Sequence, residues 1–287
     1  MVHFLIVHFQ TIHIYEMAGL VFLLLLMECA IPRKPAANTL RLRWFGHFSI
    51  LILGMFISGL AIPMFGYGWA SYCAERGWGL LNHIALPGWI NVLISFLAFD
   101  LVLFVRHWLD HHSSLLWRLH RLHHTDDDVD VTTTLRFHPI DMILTVSLDA
   151  GLTAVLGVPP LAVVIYRLIS TIVAYTSHAN VKLPPGFERF LQNIVNTPNL
   201  HRTHHSIRLE ESMTNYGGTL TLWDRLFGTH LPGPEGGHDQ LQFGVSEFKE
   251  RKHQALHWML AQPFLSQPSF VPGEEPAMAS SPDLKSA

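Results

Sequence analysis

Five apolar stretches, each about as long as a bilayer is thick, leave this chain few ways to fold. A membrane helix takes about 20 mostly apolar residues. The sequence offers candidates at about 14–31, 45–67, 84–105 and 140–158, with a fifth running from the Pro159-Pro160 turn to about 177. Composition agrees: hydrophobic residues make up 49% of the chain and charged residues only 14%, where a soluble domain carries about a quarter. Much of the surface is therefore expected to face something other than water. A secretory signal peptide fits the first stretch poorly. No lysine or arginine precedes its block Val21-Phe22-Leu23-Leu24-Leu25-Leu26, and no small-residue cleavage site follows it. The formal net charge of −3 offers no basic face for nucleic acid.

Basic residues orient the spans. Arg33, Lys34, Arg41 and Arg43 lie between the first two, Arg106, Arg118 and Arg121 follow the third, and Arg189, Arg202 and Arg208 follow the fifth. The loop after the second span offers only Arg76, beside Glu75. The positive-inside rule then puts the 33–43 loop and the polar segments after Arg106 in the cytoplasm and the N-terminus outside. Five crossings satisfy this pattern, although the last two spans could also form a hairpin that stops short of crossing. The expected protein is multi-pass, in the inner or plasma membrane if the source is bacterial. Residues 1–262 form one domain, and 263–287, rich in Pro, Ser, Ala and Glu, read as a disordered tail.

Histidine carries the functional signal. There are 20, more than the 19 lysines and arginines together. Three clusters stand out: His107 and His111; His120, His123 and His124; His201, His204 and His205. The second and third share the pattern HxxHH. Residues three and four apart share a helix face, so each cluster, if helical, is expected to aim its imidazoles at one point. All three fall in polar segments just past a span, on one predicted side. The alternative is a set of ordinary interfacial histidines. His112 points about 100° away from His111 on a helix and is read as a non-ligand. Eight clustered imidazoles are too many for one metal, since zinc takes four ligands and a catalytic zinc three protein ligands. Imidazole suits Zn, Cu, Fe and Ni, so ligand type alone does not name the metal. Two cysteines, Cys29 and Cys73, with no CxxC pair, make a disulfide framework or thiolate zinc site a poor reading. There is no HExxH motif, and the ExxH at Glu250–His253 lies outside the spans.

The boxes come with neighbours: Trp117-Arg118-Leu119-His120, Thr133-Thr134-Leu135-Arg136-Phe137-His138-Pro139, Ser177-His178-Ala179-Asn180, Asn199-Leu200-His201-Arg202-Thr203-His204-His205, Asn215-Tyr216-Gly217, and Trp223-Asp224-Arg225-Leu226-Phe227-Gly228-Thr229. From Asp100 to Thr229 the sequence resembles the fatty acid hydroxylase superfamily, also called the sterol desaturase family. The resemblance implies an all-α membrane bundle of four to five spans with a cytoplasmic histidine-rich cap. It implies a site for two iron ions, which zinc can replace in purified protein, held by His107, His111, His120, His123, His124, His201, His204 and His205. His178 occupies the place of a further ligand. Some relatives pair it with a histidine four residues earlier, where this chain has Ala174. His138 could supply the missing ligand; a structural histidine beside Pro139 is the other reading. Asp100, inside a span, is expected to stand behind the ligands and accept the free N–H of one of them. Helix–helix bonding is its alternative. The Asp126–Asp130 run is expected to be a solvated loop, and residues 223–229 a folded cover over the histidines.

The implied activity is an O₂-dependent oxidoreductase that hydroxylates or desaturates a lipid of sterol, fatty acyl or alkylglycerol type. Two electrons would come from a separate protein of ferredoxin, rubredoxin or cytochrome b5 type. A zinc-dependent membrane hydrolase or a metal-dependent lyase on the same scaffold is the runner-up. A metal transporter is a third reading, disfavoured because its ligands would lie near the bilayer midplane. The walls expected below the cap, at Leu97, Phe99, Leu103, Ile169 and Val173, are apolar and carry no basic cluster, which favours a long or polycyclic lipid.

Overall fold

A computed structural model of the chain describes residues 8–35, 40–61 and 66–265. The described residues are helical, with isolated bridges but no strands. Among the described residues, five helices are long and apolar enough to cross a membrane. They are α1 (Phe9–Ala30), α2 (Leu40–Ala61), α4 (Gly88–His112), α6 (Pro139–Leu156) and α7 (Pro160–His178), with α3 (Tyr67–Glu75) and α5 (Ser114–His124) between them. Seven short or peripheral elements follow, of which α8 (Pro185–Leu191), α9 (Pro198–His204), α10 (Leu209–Ser212), α11 (Leu222–Phe227) and α12 (Leu256–Ala261) are α-helical. The protein is a multi-pass membrane protein. Large apolar side chains such as Phe22, Phe45, Phe56, Trp89 and Val155 face outward from the spans, as a hydrocarbon surround requires.

Local chemistry sets the boundaries. Proline opens α6, α7, α8 and α9, where its missing N–H costs nothing. Gly157 closes α6 in the left-handed region at φ 76°. Gly79 packs directly on Gly157, where a Cβ on either residue would collide with the other's backbone. This contact seats the 77–83 segment on the α6–α7 turn. The second span lies earlier than expected: α2 runs from Leu40 to Ala61, and Tyr67 already opens a separate helix. The third begins later and runs further, from Gly88 through His112. Its 25 residues span about 37 Å, more than the roughly 30 Å of hydrocarbon. The first histidine cluster therefore sits on the last turns of the spanning helix itself.

The chain alternates between two ends. The α6–α7 turn, α3 and the start of α4 share one end; Trp69 Nε1 donates to the Ala150 carbonyl there at 2.9 Å. The ends of α1, α4 and α7 and the starts of α2 and α6 share the other, with every segment after His178. Leu24, Val131, Leu135, Tyr175 and Val181 form one core joining α1, the 131–135 turn and α7. Ile50, Leu122 and Met259 join α2, α5 and α12. Phe99 stacks on Tyr166 at 5.0 Å, closing α4 on α7; Phe99 and Val173, two of the expected substrate walls, are both buried.

Three expectations change here. The Asp126–Asp130 run is not a solvated loop: Asp126 and Asp130 are buried and bond Arg43 at 2.6 Å each. Arg106 is no loop charge either. It is buried in α4, bonded to Asp110 at 2.7 Å and paired with Asp141. The tail begins later than 263: Gln262 and Pro263 are buried, and Arg121 donates to the Gln262 and Leu265 carbonyls. Residues 266–287 lie outside the described residues.

Candidate metal centre

The three histidine clusters and His178 converge at one end of the bundle and sort into two groups. His107, His111, His120, His124 and His204 form one; His123, His178, His201 and His205 form the other. Within each group the ligand atoms lie within 4.8 Å of one another. The sorting corrects the expectation that each cluster aims at one point, and helix geometry explains it. Positions i and i+4 lie about 40° apart around a helix, whereas i+3 and i+4 diverge by about 100°. So His120 and His124 enter the first group while His123 enters the second. In the other box His201 and His205 enter the second group while His204 enters the first. Each HxxHH box thus serves both groups and ties them side by side. His124 stacks on His205 across the boundary, with ring centroids 4.4 Å apart.

The nitrogens are arranged for cations rather than for each other. His178 Nε2 lies 3.1 Å from His123 Nε2 and 2.9 Å from His201 Nε2, which in turn lies 3.1 Å from His205 Nε2. His178 donates its Nδ1 proton to the Ala174 carbonyl at 2.7 Å, so its Nε2 presents a bare lone pair. Imidazole nitrogens bound at about 2.0–2.1 Å to one metal sit roughly 3.0–3.4 Å apart, which matches this spacing. In the first group, buried Nε2 atoms of His107, His111, His120, His124 and His204 have no hydrogen-bond partner. Such orphaned buried atoms call for an ion. The donor set fits a pair of imidazole-bound metals.

Main-chain carbonyls set the tautomers. His107 Nδ1 donates to the Tyr216 carbonyl at 2.8 Å, and His204 Nδ1 donates to the Thr214 carbonyl at 2.7 Å. Both leave Nε2 to face the group, the arrangement that orients metal-bound histidines. The carbonyls flank Asn215, which holds the left-handed conformation at φ 55°. Asparagine tolerates that region better than most residues. Asn215 also donates to the Leu231 carbonyl at 2.8 Å and accepts from the Leu231 amide at 2.9 Å. Asp224 fixes the next two residues, accepting from the Tyr216 and Gly217 amides at 2.8 Å each and from Thr229 Oγ1 at 2.6 Å. Residues 223–229 therefore brace the turn whose carbonyls orient His107 and His204.

Burial shapes the electrostatics. His120, His123, His124, His201, His204 and His205 are held well below the ordinary imidazole range, chiefly by burial and then by neighbouring imidazoles. All are neutral at physiological pH and ready to ligate. Of the nine grouped histidines, eight are buried and His107 is partly exposed.

Two expected residues stand elsewhere. His138 joins neither group. It caps α6, its Nδ1 accepting from the Ile140 amide at 3.2 Å while the Leu260 carbonyl takes its other N–H. Asp100 meets no imidazole: its Oδ2 accepts from Trp223 Nε1 at 2.9 Å and from the Leu220 amide at 3.2 Å. It anchors the cover to the third span. His112 is exposed and stacks on Trp108 at 4.1 Å. Sequence reasoning missed Glu28. Its Oε1 accepts from the Val131 amide at 2.8 Å and the Asn180 amide at 2.7 Å, bracing the chain beyond His124 and His178. A lone acid at a span end carried the only available signal.

Residues 92–229 match the family model described as fatty acid hydroxylase. This stretch belongs to the fatty acid hydroxylase superfamily. It contains all nine grouped histidines of the site. The chain is 35% identical over 147 residues to ornithine lipid hydroxylase OlsE of Rhizobium tropici, covering 51% of this chain and 44% of that protein. It is 28% identical over 180 residues to alkylglycerol monooxygenase of Xenopus tropicalis, covering 62% and 39%. The human alkylglycerol monooxygenase matches at 27% over 154 residues, covering 53% and 32%. The match thus spans less than half the length of each of these relatives. No solved structure matches.

Proposed function

We propose that this fatty acid hydroxylase domain is a di-iron oxygenase that hydroxylates a membrane lipid with O₂ and electrons from a separate protein. The observation that carries the reading is the split of nine imidazoles into two adjoining groups whose nitrogens converge, those of the first group without hydrogen-bond partners and those of the second facing only one another. His107, His111, His120, His124 and His204 would hold one ion, and His123, His178, His201 and His205 the other. Two iron ions bound there would supply dioxygen activation, which no side chain of the site can perform. The chain's own residues do the rest. The Tyr216 and Thr214 carbonyls lock His107 and His204 with Nε2 inward. Burial keeps the imidazoles neutral and excludes bulk water. Asp100, through Trp223 and Leu220, fixes the cover beside the partly exposed His107, where a lipid chain would reach the site.

Named relatives acting on ornithine lipid and alkylglycerol favour an acyl- or alkyl-chain lipid over a sterol, and hydroxylation over desaturation. The basic residues outside α4, among them Lys34, Arg118 and Arg208, support a cytoplasmic site. A donor of ferredoxin, rubredoxin or cytochrome b5 type would supply two electrons. The test is lipid profiling of cells with and without the gene, in ¹⁸O₂ and under low oxygen. A lipid gaining one labelled oxygen atom, only with the gene and only in oxygen, is the expected result. A labelled water-soluble metabolite with no labelled lipid would overturn the lipid reading, and oxygen-independent product would overturn the oxygenase reading.

A further inference from the structure

A cleft of about 360 Å³ lies away from the histidine groups, among Arg33, Lys182, Arg189, Glu188 and Asn199. Its place in the fold sets its depth in the bilayer. Arg33 follows α1 by three residues and Lys182 follows α7 by four. The two ends are tied by the Pro32–Val181 bridge and by the Arg33 amide donating to the Asn180 carbonyl at 2.9 Å. The cleft therefore sits at the ends of two spans, in the headgroup layer beyond the roughly 30 Å hydrocarbon core.

Its chemistry is cationic with one acid. Arg33 donates to Asn199 Oδ1, while its buried Nε has no partner. Glu188 is 2% exposed; its Oε1 accepts from the Asn199 amide at 3.2 Å, and its Oε2 has no partner. Three cations against one carboxylate suit an anion, and the free carboxylate oxygen suits a hydroxyl or ammonium on the same molecule. Beside the cleft runs an apolar surface. Phe187, Phe190 and Ile194 are 52%, 61% and 49% exposed, and Leu226 and Phe227 of α11 are 66% and 57% exposed. α11 is held at membrane depth, because Trp223 bonds Asp100 and Phe227 stacks on Phe104 at 5.4 Å. Asp100 lies 12 residues before the end of α4, about 18 Å along the helix. Arg225 donates to the Gln192 carbonyl at 3.1 Å, joining α11 to the segment after α8. An exposed apolar patch continuous with membrane spans and edged by cations is the pattern of an interfacial lipid surface.

We propose that α8, α11 and this cleft bind an anionic membrane phospholipid, its headgroup among Arg33, Lys182 and Arg189 and its chains along Phe187, Phe190 and Ile194. The site rests on the membrane reading alone and is independent of the chemistry at the histidines. The test uses the full chain in phosphatidylcholine nanodiscs doped with phosphatidylglycerol, with bound lipid counted by native mass spectrometry. Wild type should retain phosphatidylglycerol at least about fivefold over its share of the disc. The double variant Lys182→Gln, Arg189→Gln should bring that enrichment close to one, with metal content and helicity unchanged, and Arg33→Gln should lower it independently. Equal retention of the two lipids by wild type, or enrichment that survives the double variant, would overturn the proposal. Displacement of the lipid by millimolar glycerol 3-phosphate would reassign the cleft to a soluble anion and overturn it as well.

Discussion

Two clusters of buried polar side chains share one end of this bundle and are built on opposite rules. Around Arg43 every group has a partner: Asp126 and Asp130 take its guanidinium, His47 bonds Thr132 at 2.9 Å, and Arg136 bonds the Leu122 carbonyl at 2.7 Å and Thr125 at 2.6 Å. Around the histidines most nitrogens that face inward have none. Both clusters are buried, and both use residue types that a core normally excludes. A saturated network can only hold the chain together, whereas an unsaturated set of lone pairs is completed by something that is not protein. Composition does not separate the two, since His47 belongs to the first and His123 to the second; the count of satisfied atoms does.

The largest expected effect breaks the unsaturated cluster. His123 and His204 belong to different groups, so replacing both by alanine should remove a ligand from each metal. Metal content should fall from about two per chain towards zero, and turnover by more than the roughly 10–100-fold typical of losing an outer-shell partner. Zinc in a purified sample would not count against iron in cells, because affinity favours zinc over ferrous iron. Retention of both metals in the double variant would erase the distinction between the two clusters.

Breaking the saturated cluster should cost stability instead. Asp126→Ala leaves the buried Arg43 guanidinium with Asp130 as its remaining carboxylate, a loss of up to about 3–5 kcal/mol, read by denaturant unfolding in detergent. Arg43→Met combined with Asp126→Leu and Asp130→Asn should cost less than Asp126→Ala alone, since the three buried charges are then removed together. A triple variant as unstable as the single one would show that the charged cluster is not the unit that matters.

Acid separates the clusters further. The grouped histidines have folded-state values below the unfolded imidazole, so protons favour the unfolded, metal-free chain once pH falls below about 6.5. Burial alone would push Asp126 up, but Arg43 holds it below the usual carboxylate range. Its contribution is intact above the unfolded value of about 3.9 and is lost only as pH falls further. Lowering pH from 7 to 5 should release metal while helicity and tertiary signals persist, with unfolding below about 4. Simultaneous loss of metal and fold at pH 5 would count against two separable clusters.

Much of this was legible from the sequence because hydropathy and histidine spacing are local signals. The five spans and eight of the nine grouped histidines could be read from such signals, and His178 from the family resemblance. What could not be read depends on partners distant in sequence. Asp126 and Asp130 look like a solvated loop until Arg43, more than 80 positions away, folds against them. Glu28 is unremarkable until two amides from separate segments reach its carboxylate. The division of each HxxHH box needs only helix geometry, yet it becomes visible once the facing helix shows which imidazoles meet. Asp100 was placed correctly as a buried acid inside a span, but its partner came from the cover rather than from a ligand.

The smallest effect concerns His138, which separates the two rules at a single residue. It lies close in sequence to the Thr133–Arg136 segment of the saturated network and was a candidate tenth ligand on spacing alone. Its Nδ1 lone pair instead caps the first turn of α6 by accepting from the Ile140 amide. A cap of this kind is replaceable in kind: His138→Ala should lower stability by about 1 kcal/mol, and His138→Asn, a stronger cap former, should recover most of it. Neither change should alter metal content, because no histidine of either group touches this ring; its aromatic neighbour is Phe264 at 5.9 Å. Metal lost in His138→Ala and not restored in His138→Asn would make it a ligand after all, and the saturated and unsaturated clusters would then be continuous rather than side by side.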